Sequence, residues 1–207
     1  MKAKRKNNTG VAMTGGNGQR VDDDFYATPP LSTEALIPVL RQARFPKKLW
    51  ECACGEGHMS ITLARHGFDV ESTDLIDRGY GMTQDFLETT KPLGDGIVTN
   101  VPFDLAEAFI EHALGFLEIE YVAYILNNNF WNASGRLRLF DRYPPAIVLP
   151  MTWRLDSKGL GRPTMNALIT VWSPHTSDEW PKTRYMPLRA EKGAGKPVPI
   201  WQIDDEV

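Results

Sequence analysis

Short apolar runs alternate with amphipathic stretches between residues 30 and 175. The spacing predicts a helix over Thr33–Arg41, capped by Ser32 or Thr33. Leu49-Trp50-Glu51-Cys52-Ala53 reads as a short apolar strand. The turn Gly55-Glu56-Gly57 and an amphipathic helix over Met59–His66 follow it. Phe68–Asp74 alternates into a second strand, and Gly96-Ile97-Val98-Thr99 forms a third. Leu105–Leu117 has helical spacing, and Tyr121–Leu126 is the next strand. A helix over Arg136–Arg142 must end before Pro144-Pro145, because a proline excludes the helical conformation at the residue before it. Ala146–Leu149 and Ala167–Trp172 complete the strands. Strands alternating with helical patterns of ~10–15 residues predict an α/β fold with a mostly parallel central sheet and helices on both faces.

The flanks differ in composition. Residues 1–24 begin with Lys2, Lys4, Arg5 and Lys6, continue in Asn, Gly and Thr, and close on Asp22-Asp23-Asp24. They read as a disordered basic arm, either a solvated tail or an electrostatic tether to a phosphate backbone. Residues 182–207 are rich in Pro, Gly and charge and read as an irregular C-terminal extension. Between them, residues 25–181 form one domain, since a chain of 207 residues with 42% hydrophobic content buries one full core. A net charge of −3 gives no overall polycationic character, so nucleic-acid contact needs a local patch.

The two cysteines, Cys52 and Cys54, are poorly placed for a disulfide with each other. A lone Cys-x-Cys pair makes a poor zinc site. Buried thiols in a reduced, cytoplasmic protein are the expectation. The four histidines form no metal-ligand or nucleophile pattern, and no metal is expected. No apolar stretch nears the ~20 residues of a membrane helix, and no apolar segment follows the basic start as in a secretory signal.

Candidate chemistry gathers at the carboxyl ends of the strands, where open α/β sheets bind ligands. The first turn carries only Gly55 and Gly57, short of a Gly-x-Gly-x-x-Gly dinucleotide pattern, and is flanked by Glu51 and Glu56. Carboxylates there disfavour a phosphate and favour a cation. S-adenosylmethionine, with an ammonium, a sulfonium and no phosphate, fits. Asp74 at the tip of the second strand can accept from a ribose diol, or else serve as a turn or helix cap. Leu75 or Ile76 would then pack on adenine.

Three segments carry a family resemblance. Glu51-Cys52-Ala53-Cys54-Gly55-Glu56-Gly57 resembles the Glu-Pro-Ala-Cys-Gly-Glu-Gly form of the first methyltransferase motif, with Cys52 in place of Pro. Asn100-Val101-Pro102-Phe103 resembles the Asn/Asp-Pro-Pro-Tyr/Phe signature of amino-group methyltransferases, with Val101 in place of the first Pro. Tyr26-Ala27-Thr28-Pro29-Pro30 is similar to the Tyr-x-Thr-Pro-Pro element of phage-type DNA adenine methyltransferases. In the order of these motifs the chain resembles the phage or prophage class I S-adenosylmethionine-dependent DNA N6-adenine methyltransferases. The resemblance implies a single Rossmann-like domain. It also implies that Tyr26 and Thr28 close over the methionine end of the cofactor, and that Asp85 accepts from its exocyclic amine. The cofactor-binding set is then Tyr26, Thr28, Glu51, Cys52, Gly55, Gly57, Asp74, Leu75 and Asp85. The product would be S-adenosylhomocysteine.

The tetrapeptide has a physical rationale. The lone pair of an exocyclic amine is delocalised into its ring. Acceptors aimed at the two N–H groups favour a pyramidal nitrogen whose lone pair points at the methyl donor. Asn100 offers its side-chain oxygen, residue 101 its carbonyl, and Phe103 a stacking surface for a base turned out of a duplex. Pro102 keeps Val101 out of the helical basin, so the carbonyl stays directed. Val101 costs pre-organisation worth ~0.4–1 kcal/mol.

Two segments could touch a substrate. Residues 127–138 bring amides, aromatics and arginines together, with Asn129, Trp131, Arg136 and Arg138 as candidates. Residues 153–165 add Trp153 and Arg154. Neither is large enough to be a separate recognition domain, so a short or relaxed DNA target is expected. The same fold and cofactor would also suit an RNA amine or a protein glutamine amide. A binding protein that no longer methylates is the alternative outside enzymes.

Overall fold

The computed structural model describes residues 28–132, 136–156 and 165–175. The basic arm, the C-terminal extension, Tyr26 and residues 157–164 of the second substrate segment lie outside these residues. Helix α1 (Pro30–Gln42) leads into β1 (Lys48–Glu51), α2 (His58–Arg65), β2 (Asp69–Asp74) and β3 (Met82–Thr83). Then follow β4 (Gly96–Asn100), α3 (Ala106–Ile110), β5 (Tyr121–Asn127), α4 (Leu137–Arg142), β6 (Ile147–Pro150) and β7 (Ala167–Trp172).

The seven strands form one sheet in the order β3-β2-β1-β4-β5-β7-β6. The pairs from β3 to β5 are parallel, and β7 runs antiparallel between β5 and β6. Strand order reverses between β1 and β4, because the chain builds outward to β3 and then returns to the other side of β1. That switch point opens a crevice at the carboxyl edge.

Helices cover both faces, as the alternating pattern requires. All six residues of β7 are buried, and they divide by parity. Ala167, Ile169 and Val171 join Leu49, Val98, Ala123 and Ile125 under α1 and α2. Leu168 and Trp172 join Trp50, Ile97, Val122, Tyr124 and Leu126 under α3 and α4. A strand buried on both sides needs apolar residues at nearly every position, which is why β5 and β7 read as continuous runs.

The expected cap of α1 is corrected. Pro29 occupies the cap position with Pro30 in the first turn, where its fixed φ suits the helix. Ser32 and Thr33 lie inside the helix with buried side chains, and their hydroxyls have no hydrogen-bond partner. The helix expected over Leu105–Leu117 is three segments: a 3-10 turn at Phe103–Leu105, α3, and a π segment at Glu111–Phe116. The amide of Leu117 donates to the carbonyl of His112, five residues back, at 2.8 Å. Strand β3 is only two residues long and exposed, too short to leave a pattern. The first substrate segment begins with a 3-10 turn at Asn128–Asn132.

Gly94 shows how tightly the chain turns into β4. A Cβ there would lie 2.8 Å from the backbone of Leu49 and Trp50, which cannot give way as a side chain can. Gly94→Ala should lower stability by about 1–3 kcal/mol through overpacking, read as a lower urea midpoint with an unchanged m-value.

Candidate active site at the carboxyl edge

One cleft of about 260 Å³ lies at the switch point. The turn between β1 and α2 forms its floor. Gly57 takes φ +81°, which only glycine adopts cheaply, and a Cβ there would collide with the Tyr80 ring. Asp74, at the end of β2, holds this turn in place. Its Oδ2 accepts from the Gly55 amide at 2.7 Å and its Oδ1 from the Ile76 amide at 3.0 Å. A carboxylate has about four acceptor positions, so capacity for a diol remains. Leu75, 59% exposed, presents an apolar surface on the cleft wall. Asp85 also lines the cleft, and its Oδ1 accepts from the Leu87 amide at 2.9 Å.

Of the expected cofactor residues, Thr28, Cys52, Gly55, Asp74, Leu75 and Asp85 all line this one cleft. Gly57 does not line it but lies in the same turn, against the Tyr80 ring. Glu51 lies elsewhere: its side chain is buried on the α2 face, where the Ser60 hydroxyl donates to its Oε2. Ser60 in turn lies 2.6 Å from the Ser72 hydroxyl. Burial pushes the Glu51 carboxyl from 4.5 up to about 8, against the lowering effect of the Ser60 bonds and with some help from Asp74. Glu51 is therefore largely protonated at neutral pH. The acidity of the cleft comes instead from Glu56, Asp74, Asp85 and Asp104, opposed by Arg78. This donor set suits a cation-bearing ligand with a polar sugar and an apolar ring.

Both cysteines are free and buried. Burial raises the Cys52 thiol well above 9 and Cys54 to about 12, with the Glu51 carboxyl the next cause in each case. Burial thus favours the protonated thiol, the less nucleophilic form, at both positions. Among the described residues, no group of three or more His, Cys, Asp or Glu could hold a metal ion. None of the described helices is long and apolar enough to cross a membrane.

Asn100 ends β4, and Asn100, Val101 and Pro102 line the same cleft. Phe103 opens the following 3-10 turn beside it, half-buried. Val101 has a second role that its sequence position does not announce. Its side chain is 2% exposed and packs in the core beneath α3 with Ala106, Phe109 and Phe130.

The described substrate candidates all stand at the carboxyl edge, beyond β5 and around the β6–β7 hairpin, but several are engaged internally. Trp131 stacks on Phe140 at 4.2 Å and 7°. Arg136 lies 4.0 Å over the Phe130 ring, donates to the Phe130 carbonyl at 2.6 Å, and approaches Glu107 at 4.0 Å. Trp153 packs against the core under α1 and α2. Asn129 and Arg138 are exposed, and exposed Arg154 donates to Asn166 Oδ1 at 3.2 Å. Sequence reasoning missed Phe86, Phe109, Arg78 and Asp104, among others, as cleft residues. Phe86 was signalled only by following Asp85. Phe109 looked like any apolar helix position.

No family model matches the chain, and no curated protein matches it in sequence. Solved structures do share its fold. A Listeria monocytogenes protein assigned to the class I S-adenosylmethionine-dependent methyltransferases aligns with TM-score 0.56 at 14% identity, over 80% of this chain and 67% of that one. A dimethyladenosine transferase from Plasmodium falciparum aligns with TM-score 0.54 at 15% identity, over 72% and 62%. A Vibrio vulnificus protein assigned as the modification subunit of a type I restriction enzyme aligns with TM-score 0.54 at 12% identity, over 84% and 49%. The described residues thus form a single mixed α/β domain with the Rossmann-like fold of class I methyltransferases.

The buried Glu51 gives a pH dependence. Its pKa is higher in the folded than in the unfolded chain, so its contribution is complete below pH 4.5 and is lost as pH rises through about 8. Glu51→Gln should flatten that decline and make the variant the more stable form near pH 8. Urea unfolding of both proteins at about pH 5 and about pH 8 checks this.

Proposed function

We propose that this protein transfers a methyl group from S-adenosylmethionine to an exocyclic amine, most specifically adenine N6 in DNA. The observation that carries the reading is the convergence of two independent sequence signals on one cleft. Asn100-Val101-Pro102 lines the cleft whose floor is the Gly55 turn tied to Asp74.

S-adenosylmethionine supplies an electrophilic methyl group on a sulfonium. Asp74 accepts from the ribose diol, Leu75 covers one face of the adenine, and Asp85 accepts from its amine. Thr28, with Tyr26 upstream, closes the methionine end. The carboxylates of Glu56 and Asp104 favour the cationic form over its neutral product. Asn100 Oδ1 and the Val101 carbonyl accept from the two N–H groups of the acceptor amine, turning its lone pair towards the methyl group, and Phe103 stacks on the base. No strong base is required, since the nitrogen sheds its proton after it has become cationic. Rate enhancement then comes mainly from alignment.

Around this site, the reading assigns different work to the substrate candidates. Asn129, Arg138 and Arg154 are available to nucleic acid. Trp131 and Arg136 hold the edge that presents them, through the Phe140 stack and the Phe130 clamp. The basic arm at 1–24 supplies a further tether to phosphate. A short target sequence follows from the small reading surface.

Methylation-sensitive sequencing of DNA from cells expressing the chain tests the substrate, with N6-methyladenine in a short shared context as the expected result. Labelled methyl groups in RNA or protein but not DNA would sink the DNA reading. Asn100→Ala should reduce transfer by at least about 100-fold while S-adenosylhomocysteine still binds by calorimetry. Equal transfer by parent and variant would remove Asn100 from the chemistry. Val101→Pro should raise kcat a few-fold at some loss of stability, because it gains pre-organisation but gives up buried Val contacts.

A further inference from the structure

Residues 85–89 form a short turn that delivers two groups to the cleft, Asp85 and Phe86. The turn is closed at both ends. Asp85 Oδ1 accepts from the Leu87 amide at 2.9 Å, and the Thr89 hydroxyl donates to the Phe86 carbonyl at 2.7 Å. Phe86 is 2% exposed and wedged against Trp50 at 5.2 Å and Phe109 at 4.6 Å.

A third tie comes from across the fold. His112 Nε2 lies 3.1 Å from Thr89 Oγ1, and the imidazole stands edge-on to Phe86 at 4.9 Å and 79°. Its other contact is Phe116, stacked at 5.0 Å and 17°. Because the Thr89 proton is committed to the Phe86 carbonyl, its oxygen is the acceptor, and His112 Nε2–H donates. His112 belongs to the π segment that follows α3, a winding that recurs at functional sites. Three residues earlier, Phe109 also lines the cleft. One stretch of helix thus touches the cleft directly through Phe109 and indirectly through His112.

We infer that His112 is a positioning residue for the adenine end of the cofactor cleft, acting through Thr89 and Phe86 to fix the turn that carries Asp85. This rests on the proposal that the cleft holds S-adenosylmethionine. His112 itself touches no ligand. Its effect should appear in cofactor affinity and leave the methyl-transfer step alone.

Two substitutions separate the hydrogen bond from the ring. His112→Phe keeps an aromatic between Phe86 and Phe116 but removes the donor. His112→Gln keeps an N–H at similar reach but removes the ring. Calorimetric titration with S-adenosylhomocysteine should show about five-fold weaker binding for His112→Phe, the loss of one neutral hydrogen bond. His112→Gln should stay within about two-fold of the parent on the same scale. The KM for S-adenosylmethionine should rise with His112→Phe while kcat holds. Unchanged binding by His112→Phe, or equal weakening by both variants, would overturn the inference. A parent protein that binds no S-adenosylhomocysteine would instead overturn the reading of the cleft, and this inference with it.

Discussion

The carboxylate of Asp74 bridges the loops that leave two neighbouring parallel strands. Its two oxygens take the amides of Gly55, in the turn after β1, and Ile76, just beyond β2. The Cys54 amide adds a bond to the Thr73 carbonyl at 2.9 Å. A parallel pair leaves the two strand ends side by side but does not fix the loops leaving them. Asp74 does so by charge-assisted bonds, the strong kind. The cleft floor is therefore set before any ligand arrives, and Asp104, Pro102 and Asn100 approach it from the next strand over.

The edge beyond β5 is built by different means. There, aromatic stacking and a guanidinium over a ring replace ladder hydrogen bonds. Phe130 is buried, Arg136 closes on it, and Trp131 lies flat on Phe140. These contacts consume side chains that, in an open loop, would have been free to stack on a base. What remains outward includes the amides of Asn128 and Asn129 and the guanidinium groups of Arg138 and Arg154.

Much of this was legible in the sequence. Period-two alternation and continuous apolar runs located every strand except β3. The strand-end positions of Gly55, Asp74 and Asn100 placed them at one edge, because a parallel sheet aligns its carboxyl ends. The burial of Glu51 was not legible. Its position beside the glycine turn suggested a charge facing the ligand, but strand parity turns it under α2, towards Ser60 and Ser72. The cap of α1 was misread for a related reason. Ser32 and Thr33 have the chemistry of caps, yet Pro29-Pro30 had already started the helix. Trp131 and Arg136 are engaged by partners a few residues away, Phe140 and Phe130, that no periodic pattern names.

The placement of the two thiols bears on how the protein would meet oxidative stress. Both sulfurs sit in or beside the glycine turn, and burial keeps both protonated far above neutral pH. Peroxides and electrophilic drugs attack thiolates. A turn built from Cys-Ala-Cys has the composition of a redox sensor and the chemistry of an inert filler. While the fold holds, both side chains fill the cleft floor as small buried groups.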